Sequence, residues 1–297
     1  MRSLTSLVKV SIFLLMIPAF TQILASSPID ITIERDSLHL LGKFYISEGT
    51  GTFPTVILLQ GFPGNENDVL GIGNKLTQVG INALTFNYSG TYKSQGEFNF
   101  DNSQKDIKSA FDFIHQSENI EKYKIDTTRI ILGGYSFGGG MALTYAANHP
   151  EIKEIFSIAG NDHGAAVREY ESNPERRKLL DEIFDELKSQ TEVVRFGPNG
   201  TPREMAEKKI IESNPTYDLQ YCAPSLAPKR ILLIAGWDDP NVSVENRVLP
   251  LYRALKNENA QNVKITAVQD DHSFKNSRTE LVQIVTDWLI LINKVEK

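Results

Sequence analysis

Residues 129–138 read RIILGGYSFG, and the fold turns on how that stretch is parsed. The segment 129–133 (RIILG) is a short apolar run of strand type. Gly134, Ser136 and Gly138 then form G-x-S-x-G. Composition alone would produce that pattern in roughly one chain in ten of this length, so by itself it decides little. Its setting decides more, because an apolar, Ala- and Gly-rich helical stretch (137–148) follows at once. A serine at such a strand–turn–helix junction has its hydroxyl lifted clear of the C-terminal edge of a sheet. Glycine two residues before and two after allows the close backbone approach that the tight turn needs. Ser136 is therefore the candidate nucleophile.

Working outward, further apolar runs lie at 55–60, 81–87, 155–159, 230–235 and 263–268. Continuous runs of this length suit strands buried on both faces of a parallel sheet. Two more strands, 29–34 and 38–47, flank a turn at 35–37. Helical patterns occupy 67–79, 103–116, 246–257 and 279–294, the last with Leu281, Ile284, Val285, Trp288 and Leu289 at helical spacing. Alternation of strands and helices predicts an open α/β sheet with helices on both faces. The rhythm breaks over 161–228, where no core-strand pattern occurs. Two amphipathic helices are expected there, at 175–190 and 202–213, joined through a turn at Gly197, Pro198, Asn199 and Gly200. An insertion that long is a lid or a side domain, not an ordinary connection of a few residues. Its charged faces read as solvated faces.

A serine hydroxyl needs a base. His272 follows the last strand, in QDDHSF (269–274), where the topology brings a loop over the nucleophile. His163 follows an earlier strand and could also reach the site, whereas His39, His115 and His149 read as surface or packing residues. The base needs a carboxylate to orient it. Past the strand 230–235 lies GWDDPNV (236–242), whose spacing favours Asp239 over Asp238. Asp162 is a third candidate. Asp270 and Asp271 read as solvated loop residues.

The order Ser136, Asp239, His272, taken with two further motifs, resembles the α/β-hydrolase fold, near the dienelactone-hydrolase and prolyl-oligopeptidase-like groups. Residues 59–64 (LQGFPG) resemble the family's His-Gly-Phe-Pro-Gly oxyanion loop. Residues 87–96 (NYSGTYKSQG) resemble its Asp-Tyr-Arg-Gly-x-Gly-x-Ser-x-Gly turn. Gln60, Asn87 and Ser89 depart from the common His, Asp and Arg. The resemblance spans about residues 30–294. It implies a mostly parallel, doubly wound sheet with a helical cap insertion at about 161–228. It also implies an oxyanion hole made by the backbone N–H groups of Phe62 and Phe137, and a chemistry that uses neither cofactor nor metal. Pro63 has no N–H and cannot contribute a donor. Aromatics near the strand ends (Phe62, Tyr88, Tyr92, Tyr135, Phe137 and Trp237) are candidates either for an acyl pocket or for core packing.

The chain of 297 residues carries a net charge of −6, which disfavours a nucleic-acid partner. The one cysteine, Cys222, excludes an intramolecular disulfide, and no motif around it suggests a nucleophile. Residues 1–25 read as a secretory signal. Arg2 and Lys9 lead an apolar run over 10–20, and Ala25, Ser26 and Ser27 follow. The run is short for a membrane span, so export to a periplasm or the medium is expected, without a stable membrane anchor. The reading is one hydrolase domain over 26–297, cutting carboxylic esters through an acyl-enzyme. A serine peptidase or acyltransferase on the same fold is the alternative, and a catalytically silent binding domain is the third possibility. Trapping by an organophosphonate would separate the active forms from the silent one.

Overall fold

The computed structural model describes residues 27–64 and 68–295. The stretch read as a secretory signal lies outside the described residues. Eight strands form one sheet: β1 (Ile29–Arg35), β2 (Leu38–Tyr45), β3 (Phe53–Leu59), β4 (Asn82–Phe86), β5 (Ile125–Tyr135), β6 (Glu154–Ile158), β7 (Arg230–Gly236) and β8 (Val263–Val268). Their spatial order is β1-β2-β4-β3-β5-β6-β7-β8. β2 pairs antiparallel with both β1 and β4, and every pairing from β4 onward through β8 is parallel. The helices are α1 (Ile72–Thr77), α2 (Phe100–Ile114), α3 (Ser117–Lys122), α4 (Phe137–Asn148), α5 (His163–Ser172), α6 (Pro174–Ser189), α7 (Pro202–Met205), α8 (Lys209–Ser213), α9 (Ala223–Leu226), α10 (Leu249–Asn257) and α11 (Arg278–Val295).

The apolar runs become strands because each is covered on both faces. Within β6, Phe156 packs edge-on against Trp288 of α11, while its neighbour Ser157 faces Gly139 of α4. Adjacent strand residues point to opposite faces, so α11 and α4 cover opposite sides of the sheet. β4 and β6 are buried along their whole length. β8, at the edge, is only partly buried, which departs from the expectation that every late strand is covered twice.

Three helices depart most from the sequence reading. The helix expected over 67–79 is confined to α1. Gly71 sits in the left-handed region and Asp68 accepts hydrogen bonds from the N–H groups of Gly73 and Asn74, so the helix starts only at Ile72. The helix expected over 202–213 is broken into α7 and α8. The break lets Met205 pack inward and Ile210 be buried, although five positions apart they would face different sides of a straight helix. The helix expected from 246 begins at Leu249, after a wide π turn over Val244–Val248 capped by Ser243.

Between β6 and β7 the described chain forms helices α5 to α9 and no sheet strand. The insertion is nonetheless tied to the body by backbone pairing. Arg195 N–H donates to Gly90 O, Phe98 N–H to Arg195 O, and Tyr92 N–H to Val193 O. Residues 193–196 thus lie along the 88–98 turn, a docking that hydropathy does not reveal.

Candidate active site

Ser136 is the only residue between β5 and α4. Its φ of 54° and ψ of −119° place it in sparsely populated backbone space, where a non-glycine residue costs about 1–3 kcal/mol. Its N–H donates to Ile158 O across β6. A Cβ on Gly134 would stand 2.3 Å from Gly138 O, and one on Gly138 would stand 2.4 Å from Gln60 O. The two motif glycines are therefore sites of backbone contact between β5, α4 and the 60–64 loop.

The other predicted residues converge on this turn. His272 Nε2 lies 2.9 Å from Ser136 Oγ, and His272 Nδ1 lies 2.6 Å from Asp239 Oδ2. Asp239 is buried, and its Oδ1 accepts from the N–H groups of Asn241 and Val242 at 2.8 Å each. Burial alone would raise its pKa. The hydrogen bond and charge of His272, with the two amides, outweigh burial and hold the carboxyl below its ordinary value. A carboxylate at Oδ2 fixes the proton of His272 on Nδ1, which leaves Nε2 as the acceptor facing Ser136.

The competing acids do other work. Asp238 is exposed and accepts from Gln269. Asp162 is buried and caps α5 through Ala165 N–H, and it also accepts from Leu219 N–H. Burial, with nearby Asp218, raises its pKa. His163 reaches the cavity wall, but its Nδ1 faces Asn161 at 3.0 Å, not Ser136. Burial, helped by the charge of Arg247, pushes its pKa down to about 3, so its ring is neutral. Cys222 is buried, donates to Thr216 O, and is pushed up to about 12 by burial and by Asp162 and Asp218, which removes it as a nucleophile.

Asp270 corrects the sequence reading. It is buried, not solvated. It accepts from the N–H groups of Asp271, Asn276 and Ser277 and from the Ser277 hydroxyl, and so closes the loop that carries His272. Burial would raise its pKa, but these donors outweigh burial and bring it down to about 2. Tyr135 fixes the same loop from below, its hydroxyl donating to His272 O at 2.8 Å. An Asp six residues before an Asn-Ser pair that opens a helix was the available sequence signal for this anchor.

The 60–64 loop is held by the 87–96 turn. Tyr88 donates to Gln60 O and Tyr92 to Gly64 O. A Cβ on Gly61 would stand 3.4 Å from Ser136 Cβ, so the loop lies against the serine. Support of the loop thus comes from two tyrosine hydroxyls contacting backbone oxygens. Ser89, where Arg is common, donates its N–H and hydroxyl to buried Asp106, which pairs with Arg35 at 2.9 Å. Phe62, Tyr88, Phe98 and Phe137 form a cluster of edge and tilted ring contacts behind the loop. Of the aromatics flagged in the sequence, Phe62 and Phe137 line the cavity, Tyr88 is in the core and Trp237 is exposed.

Ser136 and His272 open into a cavity of about 410 Å³. Its roof is the insertion. Leu180, Phe184 and Leu187 of α6, spaced to share one helix face, line it together with Met205. So do Arg176 and Glu169, which corrects the reading of the insertion's charged residues as wholly solvated.

Residues 54–198 match the family model for the alpha/beta hydrolase fold. A 31.7 kDa Escherichia coli protein from the traX-finO intergenic region is 32% identical over 152 residues, 50% of this chain and 52% of that one. Cutinase 2 of Thermobifida cellulosilytica is 24% identical over 139 residues, 45% of this chain and 51% of its own. The chain thus spans about half the length of the curated relatives it matches. The Pyrococcus furiosus esterase Pf2001 superposes with a TM-score of 0.61 at 20% identity, covering 89% of each chain. With the sheet order and the strand–serine–helix turn, these matches show that the chain has the α/β-hydrolase fold.

Proposed function

We propose that the chain is an exported serine esterase. The observation that carries this reading is the continuous contact from Ser136 Oγ through His272 to buried Asp239, opening into a largely apolar cavity. The similarity to cutinases supports the ester as the substrate bond. His272 Nε2 takes the Ser136 proton as Oγ attacks the ester carbonyl. The amides of Phe62 and Phe137 receive the developing oxyanion, each such donor being worth about 2.7–4 kcal/mol of barrier. Asp239 stays ionised beside the imidazolium. The C–O bond breaks, the alcohol leaves with the proton from His272, and Ser136 keeps the acyl group. Water then attacks with His272 again as base, freeing the acid. The N-terminal segment 1–25 supports export.

The test is turnover of p-nitrophenyl esters from acetate to laurate by protein lacking residues 1–25, beside Ser136→Ala and against a peptide p-nitroanilide. Ester turnover lost in Ser136→Ala is the expected result. Anilide turnover at a comparable rate would move the reading to a peptidase. A folded protein that neither turns over esters nor reacts with an organophosphonate would sink it.

A further inference from the structure

Buried side-chain N–H groups without a hydrogen-bond partner are uncommon in folded proteins, because each has lost water and gained nothing. Among the described residues, three that line the same cavity each carry such an atom, closed off from solvent within the wall: Arg176 Nε, Arg247 Nε and His163 Nε2. Asn161 Nδ2 donates to His163 Nδ1, so in the neutral ring Nε2 carries the hydrogen and is a donor.

The charges around them are unequal. Arg247 is 5% exposed and pairs with Glu169, also at the cavity. Arg176 has no carboxylate partner among its described contacts, and its guanidinium reaches only Pro240 O at 3.5 Å. Two arginines against one glutamate leave one net positive charge at the wall. Arg176 also sits in the first turn of α6, after Pro174 and the Asn173 cap, where the helix dipole is already positive. A cation there is unfavourable for the helix itself, whereas an anion facing it would gain from both. The same face of α6 then continues as Leu180, Phe184 and Leu187. The cavity thus brings together a cationic wall, an apolar helix face and Ser136.

From this we infer that the substrate is an ester whose apolar acyl chain ends in a carboxylate, a half-ester of a dicarboxylic acid, held at its free end by Arg176 and Arg247. A single net positive charge matches a monoanion, and the planar guanidinium fork matches a carboxylate. This rests on the esterase reading.

The experiment compares monomethyl adipate and monomethyl suberate with methyl hexanoate and methyl octanoate, their neutral counterparts of equal length. Hydrolysis is followed by titration of released acid. Binding of the same four compounds to Ser136→Ala protein is measured by calorimetry. The expected result is at least about tenfold higher kcat/KM for the half-esters, the scale of one charge-assisted contact. Arg176→Gln should cut the half-ester rate about tenfold more than the neutral rate, and Arg176→Lys should restore part of it. Equal or better turnover of the neutral esters would overturn the inference and leave the esterase reading standing. Half-ester binding to Ser136→Ala protein that depends on Arg176, with no turnover in the unmodified protein, would overturn the esterase reading and with it the inference that rests on it. No preferential binding and no preferential turnover would overturn the inference. Arg176 is partly exposed, so its variants are expected to fold, which circular dichroism checks.

Discussion

Helices α4 and α6 meet at one cavity and are built in opposite ways. α4 has ten of its twelve residues buried and packs on β3, β5 and β6. α6 has sixteen residues, none of them buried, and packs on α5 and α7. The first presents Ser136 and the second presents Leu180, Phe184 and Leu187. Opening α4 would expose much of the core, whereas opening α6 exposes little. Local stability should therefore differ sharply across one cavity. On the proposed reading, the reacting groups are held on the rigid side, and the wall that would contact the rest of the substrate is on the side that can change or move at small cost.

That contrast can be broken by measurement. The largest effects should come from the rigid side. Ser136→Ala should lower kcat for an activated ester by about 10⁴-fold or more, and Asp239→Asn by about 10⁴-fold through loss of the correct imidazole tautomer. Both proteins should remain folded by circular dichroism. Gly134→Val should follow, because its Cβ would meet backbone 2.3 Å away and neither strand nor helix can yield. A loss of about 3 kcal/mol in urea denaturation is expected. Phe184→Ala on α6 should shift stability by less than about 1 kcal/mol. It should also change the ester chain-length preference by about tenfold in kcat/KM, the scale of a pocket contact. Equal destabilisation by Gly134→Val and Phe184→Ala would end the comparison. Amide exchange sharpens it, with α6 exchanging well before α4.

The smallest expected effect lies in the His272 loop. The pKa of Asp270 falls to about 2 in the folded protein, below its unfolded value. A lowered carboxyl pKa contributes stability that is present above the unfolded pKa, near 4, and is lost as pH falls toward 2. Asp270→Asn should therefore melt lower than the parent at pH 6, and the gap should narrow between pH 4 and pH 2.5. A gap independent of pH would show that the carboxylate charge is not what closes the loop.

Much of the site was legible because each feature is local. Ser136 is marked by glycines two positions away on either side, and its strand and helix adjoin it. Asp239 and His272 each sit just beyond an apolar run, and parallel strands end at one edge of the sheet. Asp162 was indistinguishable on that criterion, since it too follows a strand. Only the direction of its side chain, toward Ala165 and Leu219, removes it. Asp270 was misread because a polar loop pattern does not say which carboxylate turns inward to collect N–H donors.

The sequence by itself determined the order of the strands and of the longer helices, the glycine-flanked serine turn, and the strand ends at which His272 and Asp239 stand. These follow from hydropathy periods and from glycine spacing, which act over a few residues. Tertiary structure alone decided which aspartate meets His272, how Tyr88 and Tyr92 support the 60–64 loop, and which face of α6 closes the cavity. It also decided that Arg176 and Arg247, 71 positions apart in numbering, stand at one wall. Those are contacts between distant segments, and their geometry depends on how the insertion docks on the 88–98 turn, which no local pattern encodes.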